Sequence, residues 1–262
     1  MKNKTVLITG AGTGIGKDAA RKLLERGHRV IATTHQEAEV AALQEQLGAG
    51  ATVFKLDITA AEDRAKVADL EVDVLINNAA LGESGSLAEI DIDRIRTLFE
   101  VNLFSSLELT QIAIRGMIKR GGGTVIFISS IAGRIPTAFM MPYGMTKFAV
   151  SAAAAGLRDE MKTLDKGIHV SVVEPGPFRT GFNQAMSNSR FEWMENESLF
   201  NRAQIGKMKN DSDRLLYMTE SKSTSSIVNK IVTATEAKKP KLRYVAPWHI
   251  AFLVRLLRIF GI

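Results

Sequence analysis

Tyr143 and Lys147 stand four positions apart in Tyr143-Gly-Met-Thr-Lys147, a spacing that on a helix sets a phenol and an ammonium on one face. A free tyrosine has a pKa of ~10 and keeps its proton at neutral pH. A cation beside it favours the phenolate, so such a phenol can exchange a proton with a substrate near working pH. Bringing the pKa to ~7 asks for about 4 kcal/mol of differential stabilisation, more than one exposed lysine supplies. Upstream, Ser130 follows the apolar run Val125–Ile128 within Ile128-Ser-Ser-Ile-Ala-Gly133, where its hydroxyl can donate to a substrate oxygen. Taken alone, Tyr-x-x-x-Lys is a common surface pattern, and a serine there can simply cap a turn, a reading that suits Ser129 better than the pair.

A second group of residues suits an anion. The apolar run Val6-Leu-Ile8 leads into Thr9-Gly-Ala-Gly-Thr-Gly-Ile-Gly16, and a helical pattern follows. Strand, glycine turn and helix in that order deliver backbone N–H groups and a positive helix end to one place, which fits a diphosphate. Glycines at 10, 14 and 16 spell Thr-Gly-x-x-x-Gly-x-Gly, which is neither Gly-x-Gly-x-x-Gly nor a P-loop.

The elements that must carry these residues alternate along the chain. Short β-rich runs at Thr5–Thr9, Arg29–Thr33, Thr52–Leu56, Asp73–Ile76, Thr124–Ser129 and His169–Val173 are separated by helical patterns at Gly16–Arg26, about Leu98 to Arg120 and about Pro142 to Leu164. Several strand runs are continuously apolar, as in strands covered on both faces. The expected fold is a single-domain, Rossmann-type doubly wound parallel sheet spanning 1–262 with helices on both faces. Its ligands should gather off the carboxyl ends of the strands, where Ser130 and the glycine turn both fall.

Composition narrows the chemistry. With 262 residues, 45% hydrophobic and 24% charged, the chain can bury a large core. It has no cysteine, so disulfides, thiol nucleophiles, thiolate metal sites and iron–sulfur clusters drop out. His28, His35, His169 and His249 form no His-Glu-x-x-His, and Gly-x-Ser-x-Gly is absent, so neither a zinc enzyme nor a serine hydrolase is expected, and no metal site. The net charge of +6 resides in Lys238, Lys239, Lys241, Arg243, Arg255 and Arg258; the rest balances 28 basic against 28 acidic residues. No nucleic-acid face is implied. The N-terminal apolar run is too short for a secretory signal, so a cytoplasmic location is expected.

Thr9–Gly16, Asp57, Asn77-Asn-Ala-Ala80, Asn102, Ser130, Tyr143, Lys147 and Pro175-Gly176 together resemble, in order, the motifs of the short-chain dehydrogenase/reductase family, in its single-domain branch. The resemblance implies an oxidoreductase that transfers hydride between a nicotinamide and a carbonyl or secondary alcohol. It implies that Tyr143 is the general acid/base, that Lys147 lowers its pKa and holds the nicotinamide ribose, that Ser130 polarises the substrate oxygen and that Asn102 supports a proton-refilling water path. Cofactor contacts are implied for Gly10, Thr13, Gly14, Ile15 and Gly16; for Asp57, at the adenine, and Ile58; for Asn78, Ala79 and Ala80; and for Tyr143, Lys147, Pro175, Gly176 and Thr180. Ala80 replaces the glycine of the usual pattern, which is tolerable if its φ is not positive. The run Val30-Ile-Ala-Thr-Thr-His35 has no acid before Glu37, which favours NADP(H), with Thr34 and His35 beside the 2′-phosphate; NAD(H) is the alternative, since Thr13 is uncharged and Glu37 can turn inward.

Residues 180–224 are rich in Asn, Ser, Glu and Met, and are expected to form a substrate lid. Met140, Met141 and Met145 beside the Tyr-Lys motif, with Met186, Met194, Met208 and Met218 in that lid, suggest an apolar pocket and a lipophilic small-molecule substrate. Ser151-Ala-Ala-Ala-Ala-Gly156 is smooth enough for close helix approach, within the subunit or in a homodimer or homotetramer. The basic, apolar segment 238–262 has a helical stretch too short to span a bilayer; it either packs on the subunit or lies on a membrane surface, with Trp248 and the upstream lysines at the headgroups. Two other readings keep parts of the pattern: a catalytically silent NADP(H)-sensing protein and a membrane-surface scaffold.

Overall fold

A computed structural model describes residues 3–195 and 198–259. Seven strands form one sheet, parallel throughout: β1 (Thr5–Ile8), β2 (Arg29–Thr34), β3 (Ala51–Lys55), β4 (Val74–Asn77), β5 (Gly123–Ile128), β6 (Ile168–Pro175) and β7 (Arg243–Ala246). Their order is β3-β2-β1-β4-β5-β6-β7. The chain runs outward from β1 in both directions, so the strand order reverses between β1 and β4, and the crevice for a ligand opens beyond their carboxyl ends.

Alternation along the strands divides the core into two layers. Val6, Ile8, Ile126 and Ile128 face α1 (Gly14–Glu25) and α9 (Ser225–Glu236), meeting Ala19, Leu23, Ile227 and Ile231. Leu7, Leu75, Val125 and Phe127 point the other way, toward Leu109, Ala113 and Met117 of α5 (Ser106–Lys119) and Val150 and Ala154 of α6 (Met141–Leu164). Smaller helices α2 (Val40–Leu47) and α3 (Ala61–Ala65) complete the first half.

The helix expected from about Leu98 starts earlier, as α4 (Ile92–Phe99), because Asp91 caps it by accepting the Asp93 N–H at 2.8 Å. Between α4 and α5 the chain winds through a π-helical turn, Glu100–Ser105, which carries Asn102. Segment 180–224 is helical: α7 (Phe182–Met194) and α8 (Arg202–Thr219) pack through Phe191, Met194 and Ile205. Two of its residues lie outside the described set.

β7 was not among the expected strands. Its four residues pair with β6 in the register Val172↔Arg243 to Pro175↔Ala246, so the basic tail begins inside the sheet. The tail ends in α10 (Trp248–Ile259). Lys238, Lys239 and Lys241 precede β7 and α10 follows it, so the strand separates these lysines from Trp248. One face of α10 packs on the body through Val254, while Trp248, Phe252, Leu253 and Leu256 are exposed. The Arg258 side chain and residues 260–262 lie outside the described residues, among which no helix is long and apolar enough to cross a membrane. Gly156, in the small-residue run of α6, has nothing within 4 Å of where a Cβ would stand.

Candidate active site

The glycine turn is shaped by close approach of backbone to backbone. Gly10 and Gly14 have φ of +63° and +55°, a region that favours glycine. A Cβ on Gly10 would lie 2.8 Å from the Ala79 Cα, and one on Gly16 would lie 2.4 Å from the Asn78 amide nitrogen. That contact is productive, because the Asn78 side chain donates to the Thr9 and Gly10 carbonyls at 2.9 and 2.8 Å. Thr9 returns the link: its hydroxyl oxygen accepts the N–H groups of Asn78 and Ala79, both at 3.0 Å. Asn78 and Thr9 thus fix the turn between β1 and β4. Thr9 belongs to the motif, but its type alone gave no sign of this locking role.

At the start of α1, Thr13 makes no side-chain capping bond and the first turn has no acid. The leading N–H groups therefore have neither a capping side chain nor a carboxylate on their own turn to compete with a diphosphate. On that observation the turn fits a dinucleotide. Thr180 closes over it, its Cβ 3.2 Å from where a Cβ on Gly14 would stand. Ile15, in the first turn, packs its side chain against the core. Ala80 does not have a positive φ, since Phe139 and Asp165 are the non-glycine residues that do among those described. Gly176 donates to the Ala246 carbonyl at 2.8 Å, so Pro175 and Gly176 are held against the end of β7.

Thr34 and Ile58, both expected at the cofactor, have partners within the protein. Thr34 is buried, and its hydroxyl donates to the Gln36 carbonyl at 3.0 Å, so the hydroxyl is engaged within the protein. Ile58 packs its side chain in the core, and its carbonyl accepts from Arg64 at 2.6 Å. His35 is exposed, with its Nδ1 3.7 Å from an Asp57 carboxylate oxygen. Asp57 is partly buried, which works against its charge, but the hydroxyl and N–H of Thr59, at 2.7 and 2.9 Å, hold its carboxyl below the ordinary value. The acid that approaches the turn is Glu39 rather than Glu37: its Oε2 lies 3.8 Å from where a Cβ on Gly12 would stand.

Beyond β5, Ser129 and Ser130 divide their roles in the opposite sense to the capping expectation. Ser129 is buried and its hydroxyl bridges the Lys147 carbonyl at 3.0 Å and the Ser151 hydroxyl at 2.8 Å, tying β5 to α6. Ser130 caps the short helical turn Ile131–Gly133, its oxygen accepting the Ala132 N–H at 3.1 Å. That bond leaves the Ser130 proton to be given elsewhere, and the hydroxyl lies near enough to the Tyr143 phenol to pull its pKa down.

Tyr143 and Lys147 are 7% and 3% exposed. Burial pushes the phenol up, against the neighbouring Ser130 hydroxyl, which pulls it down. Burial also pushes the Lys147 ammonium down, to about 8. The ammonium lies 5.5 Å from the centre of the tyrosine ring and donates to the Ile128 carbonyl at 3.0 Å. Lys147 alone therefore does not bring the phenol below its ordinary value; further positive charge is needed, as the sequence arithmetic required. Asn102 is buried in the π-helical turn. Its oxygen accepts the Leu81 N–H at 2.8 Å, and its amide donates to the Leu81 carbonyl and to the Thr146 hydroxyl, both at 3.0 Å. Every polar atom of that side chain is thus engaged in fixing the segment after β4 to α6.

The first turn of α7 covers this centre. The Phe182 ring lies 5.6 Å from that of Tyr143, and Phe182 and Met186 fill the space against Gly82. The Met186 carbonyl accepts from Ser84 at 2.9 Å, and Ser189 donates to Glu83 at 3.0 Å. Of the methionines expected around a pocket, Met194 instead fills the core between α7 and α8, and Met218 is exposed.

A family model described as short chain dehydrogenase matches residues 4–190. The chain is 29% identical to an uncharacterized oxidoreductase, YbbO, of Escherichia coli, over 97% of this chain and 90% of that protein. It is 30% identical to human retinol dehydrogenase 8, over 92% and 80%, and 30% identical to the NADPH-dependent 3-dehydrocapnine reductase of Ornithobacterium rhinotracheale, over 94% and 89%. Among solved structures, a short-chain dehydrogenase from Streptomyces avermitilis superposes with a TM-score of 0.80 at 28% identity, covering 100% of this chain and 94% of that one.

Proposed function

The chain belongs to the short-chain dehydrogenase family of oxidoreductases, and from that premise we propose that it exchanges hydride between NADP(H) and a carbonyl or secondary alcohol on a largely apolar small molecule. The observation that carries the reading is the buried pair of Tyr143 and Lys147, the ammonium 5.5 Å from the centre of the phenol ring, with the Ser130 hydroxyl acting on that phenol. The nicotinamide, when bound, supplies or accepts the hydride. In the reductive direction Ser130 and Tyr143 hold the substrate oxygen and Tyr143 gives it a proton; oxidation reverses the transfer. Lys147 holds the cofactor's ribose and keeps positive charge beside the phenol. Asn102 fixes the floor between Leu81 and Thr146, where we place the proton-refilling path. The dinucleotide is held by Gly10, Thr13, Gly14 and Gly16 at the diphosphate, by Asp57 at the adenine, and by Pro175, Gly176 and Thr180 at the nicotinamide.

An apolar substrate is favoured by Phe182 and Met186, which wall the space over Tyr143, and by the names of relatives that act on retinol and 3-dehydrocapnine. Segment 180–224 is then the lid. NADP(H) is favoured by the absence of an acid from Val30 to Gln36 and by the exposed His35, with Glu39 opposing it near Gly12. The exposed stripe Trp248, Phe252 and Leu256, with Arg255 at its edge and no acid from Ala237 to Ile262, suits an anionic lipid surface. The test is a turnover assay with NADPH and NADH against steroid, retinoid, long-chain and small charged carbonyls. Turnover of an apolar carbonyl with NADPH supports the reading, and turnover confined to small charged substrates contradicts the apolar pocket.

A further inference from the structure

Glu174, the penultimate residue of β6, is 0% exposed and accepts from two arginines. Arg134 Nη1 donates to one carboxylate oxygen at 2.8 Å, and Arg243 Nη1 of β7 donates to the other. A carboxylate buried this fully is tolerated only when paired and hydrogen-bonded, so its partners are held as firmly as it is. The two arms reach different places. Arg243 anchors the edge strand that leads into α10. Arg134 directly follows the turn Ile131–Gly133 and donates its own N–H to the Ile131 carbonyl at 2.9 Å, so it terminates the loop that presents Ser130.

That loop needs an anchor. Between β5 and α6 the chain runs through an exposed stretch at 136–138 and a left-handed Phe139, φ +63°. On the far side of the Ser130 turn, Gly133 abuts the Lys147 carbonyl so closely that a Cβ would stand 2.5 Å from it. The turn is therefore seated against the helix bearing Tyr143 and Lys147, and the Arg134 guanidinium is the charged tether that holds its outgoing end. Neither the family motifs nor the proton chemistry above uses this tether.

We propose that Glu174 and Arg134 are positioning residues for the reaction, fixing the Ser130 loop relative to Tyr143 from a carboxylate that touches neither substrate nor cofactor. The inference rests on the proposed role of Ser130. A displacement of about 1 Å in a reacting group can lower turnover ~100-fold, whereas Arg243 lies at the start of β7, at the opposite end from the Ala246 carbonyl that holds Gly176, so its loss leaves the Ser130–Tyr143 geometry in place. Removing the two arms of the same carboxylate should thus have unequal effects.

The experiment compares Arg134→Met with Arg243→Met in the full chain, reading kcat with the carbonyl that the wild-type enzyme reduces fastest, NADPH affinity by fluorescence, and Tm. Both variants should lose thermal stability. Arg134→Met should lose at least tenfold in kcat with NADPH affinity within threefold of wild type, Arg134→Lys should recover part of it, and Arg243→Met should keep kcat within threefold. Retention of kcat by Arg134→Met, or an equal loss in Arg243→Met, overturns the proposal. If Arg134→Met does not fold, amide exchange at Ala132 and Gly133 in Arg134→Lys and Arg243→Lys decides it: selective acceleration in the Arg134 variant is expected, and equal or absent acceleration overturns it. Exchange is read without turnover, so this result stands apart from any failure of the proposed reaction.

Discussion

Replacing Lys147 by methionine should destroy activity and make the cofactor-free protein more stable. Burial lowers the ammonium from its ordinary 10.5 to about 8; at 1.36 kcal/mol per unit, the folded chain bears about 3 kcal/mol for keeping that charge. The sign follows from proton counts. Between pH 8 and 10.5 the unfolded chain holds a proton that the folded chain releases, so stability rises with pH across that window, and the penalty is fully present below pH 8. Methionine removes the penalty but leaves the Ile128 carbonyl without its donor, at a cost of about 1–3 kcal/mol. The net gain near pH 7 is about 1 kcal/mol, a rise in Tm of about 2–4 °C. Urea unfolding of both proteins at pH 7, 8, 9 and 10 measures it. The wild type should gain about 2 kcal/mol relative to the variant between pH 8 and 10. The upper limit of pH 10 avoids the opposite slope from Tyr143, whose raised phenol stays protonated in the folded state while an ordinary tyrosine ionises. Parallel curves would show that Lys147 bears no burial penalty, and the reasoning about a cation held ready in the site would fail.

Gly16→Ala should abolish measurable NADPH binding, because its Cβ would meet the Asn78 amide at 2.4 Å and the Gly10 carbonyl at 2.6 Å; undiminished affinity in a fluorescence titration would refute the packing argument. Glu39→Gln should raise the preference for NADPH over NADH about fivefold, the worth of roughly 1 kcal/mol from one solvent-screened charge, and an unchanged ratio of kcat/KM values would remove Glu39 from cofactor selection. Phe252→Glu combined with Leu256→Glu should release the protein from vesicles containing anionic lipid while leaving turnover of a water-soluble carbonyl intact. Equal co-sedimentation of wild type and variant would exclude α10 as the lipid contact.

Much of the fold was legible because periodicity is local: Val6-Leu-Ile8 and Val125-Ile-Phe-Ile128 read as buried strands without knowledge of their neighbours. Arg243–Ala246 did not, because four residues in a basic tail carry little alternation, and their strand character depends on pairing with β6 and on the buried Glu174. The helices of segment 180–224 were hidden for a related reason. Phe182, Met186 and Trp193 face the loop 82–85, while Phe191 and Met194 face Ile205, so apolar residues on two sides blur the periodicity. The candidate site was legible as residue types at characteristic spacings, but hydrogen-bond partners were not. That the Thr34 hydroxyl donates to Gln36, and which of Ser129 and Ser130 caps a turn, depend on angles that spacing does not encode.

The central claim is that the Tyr143 hydroxyl is the proton donor and acceptor of the reaction. A Tyr143→Phe variant isolates that one oxygen, with NADPH affinity and single-turnover rate measured on the same preparation. The account predicts NADPH binding within about threefold of wild type and a hydride-transfer rate lower by at least ~1,000-fold. Turnover at the wild-type rate with cofactor bound would contradict it.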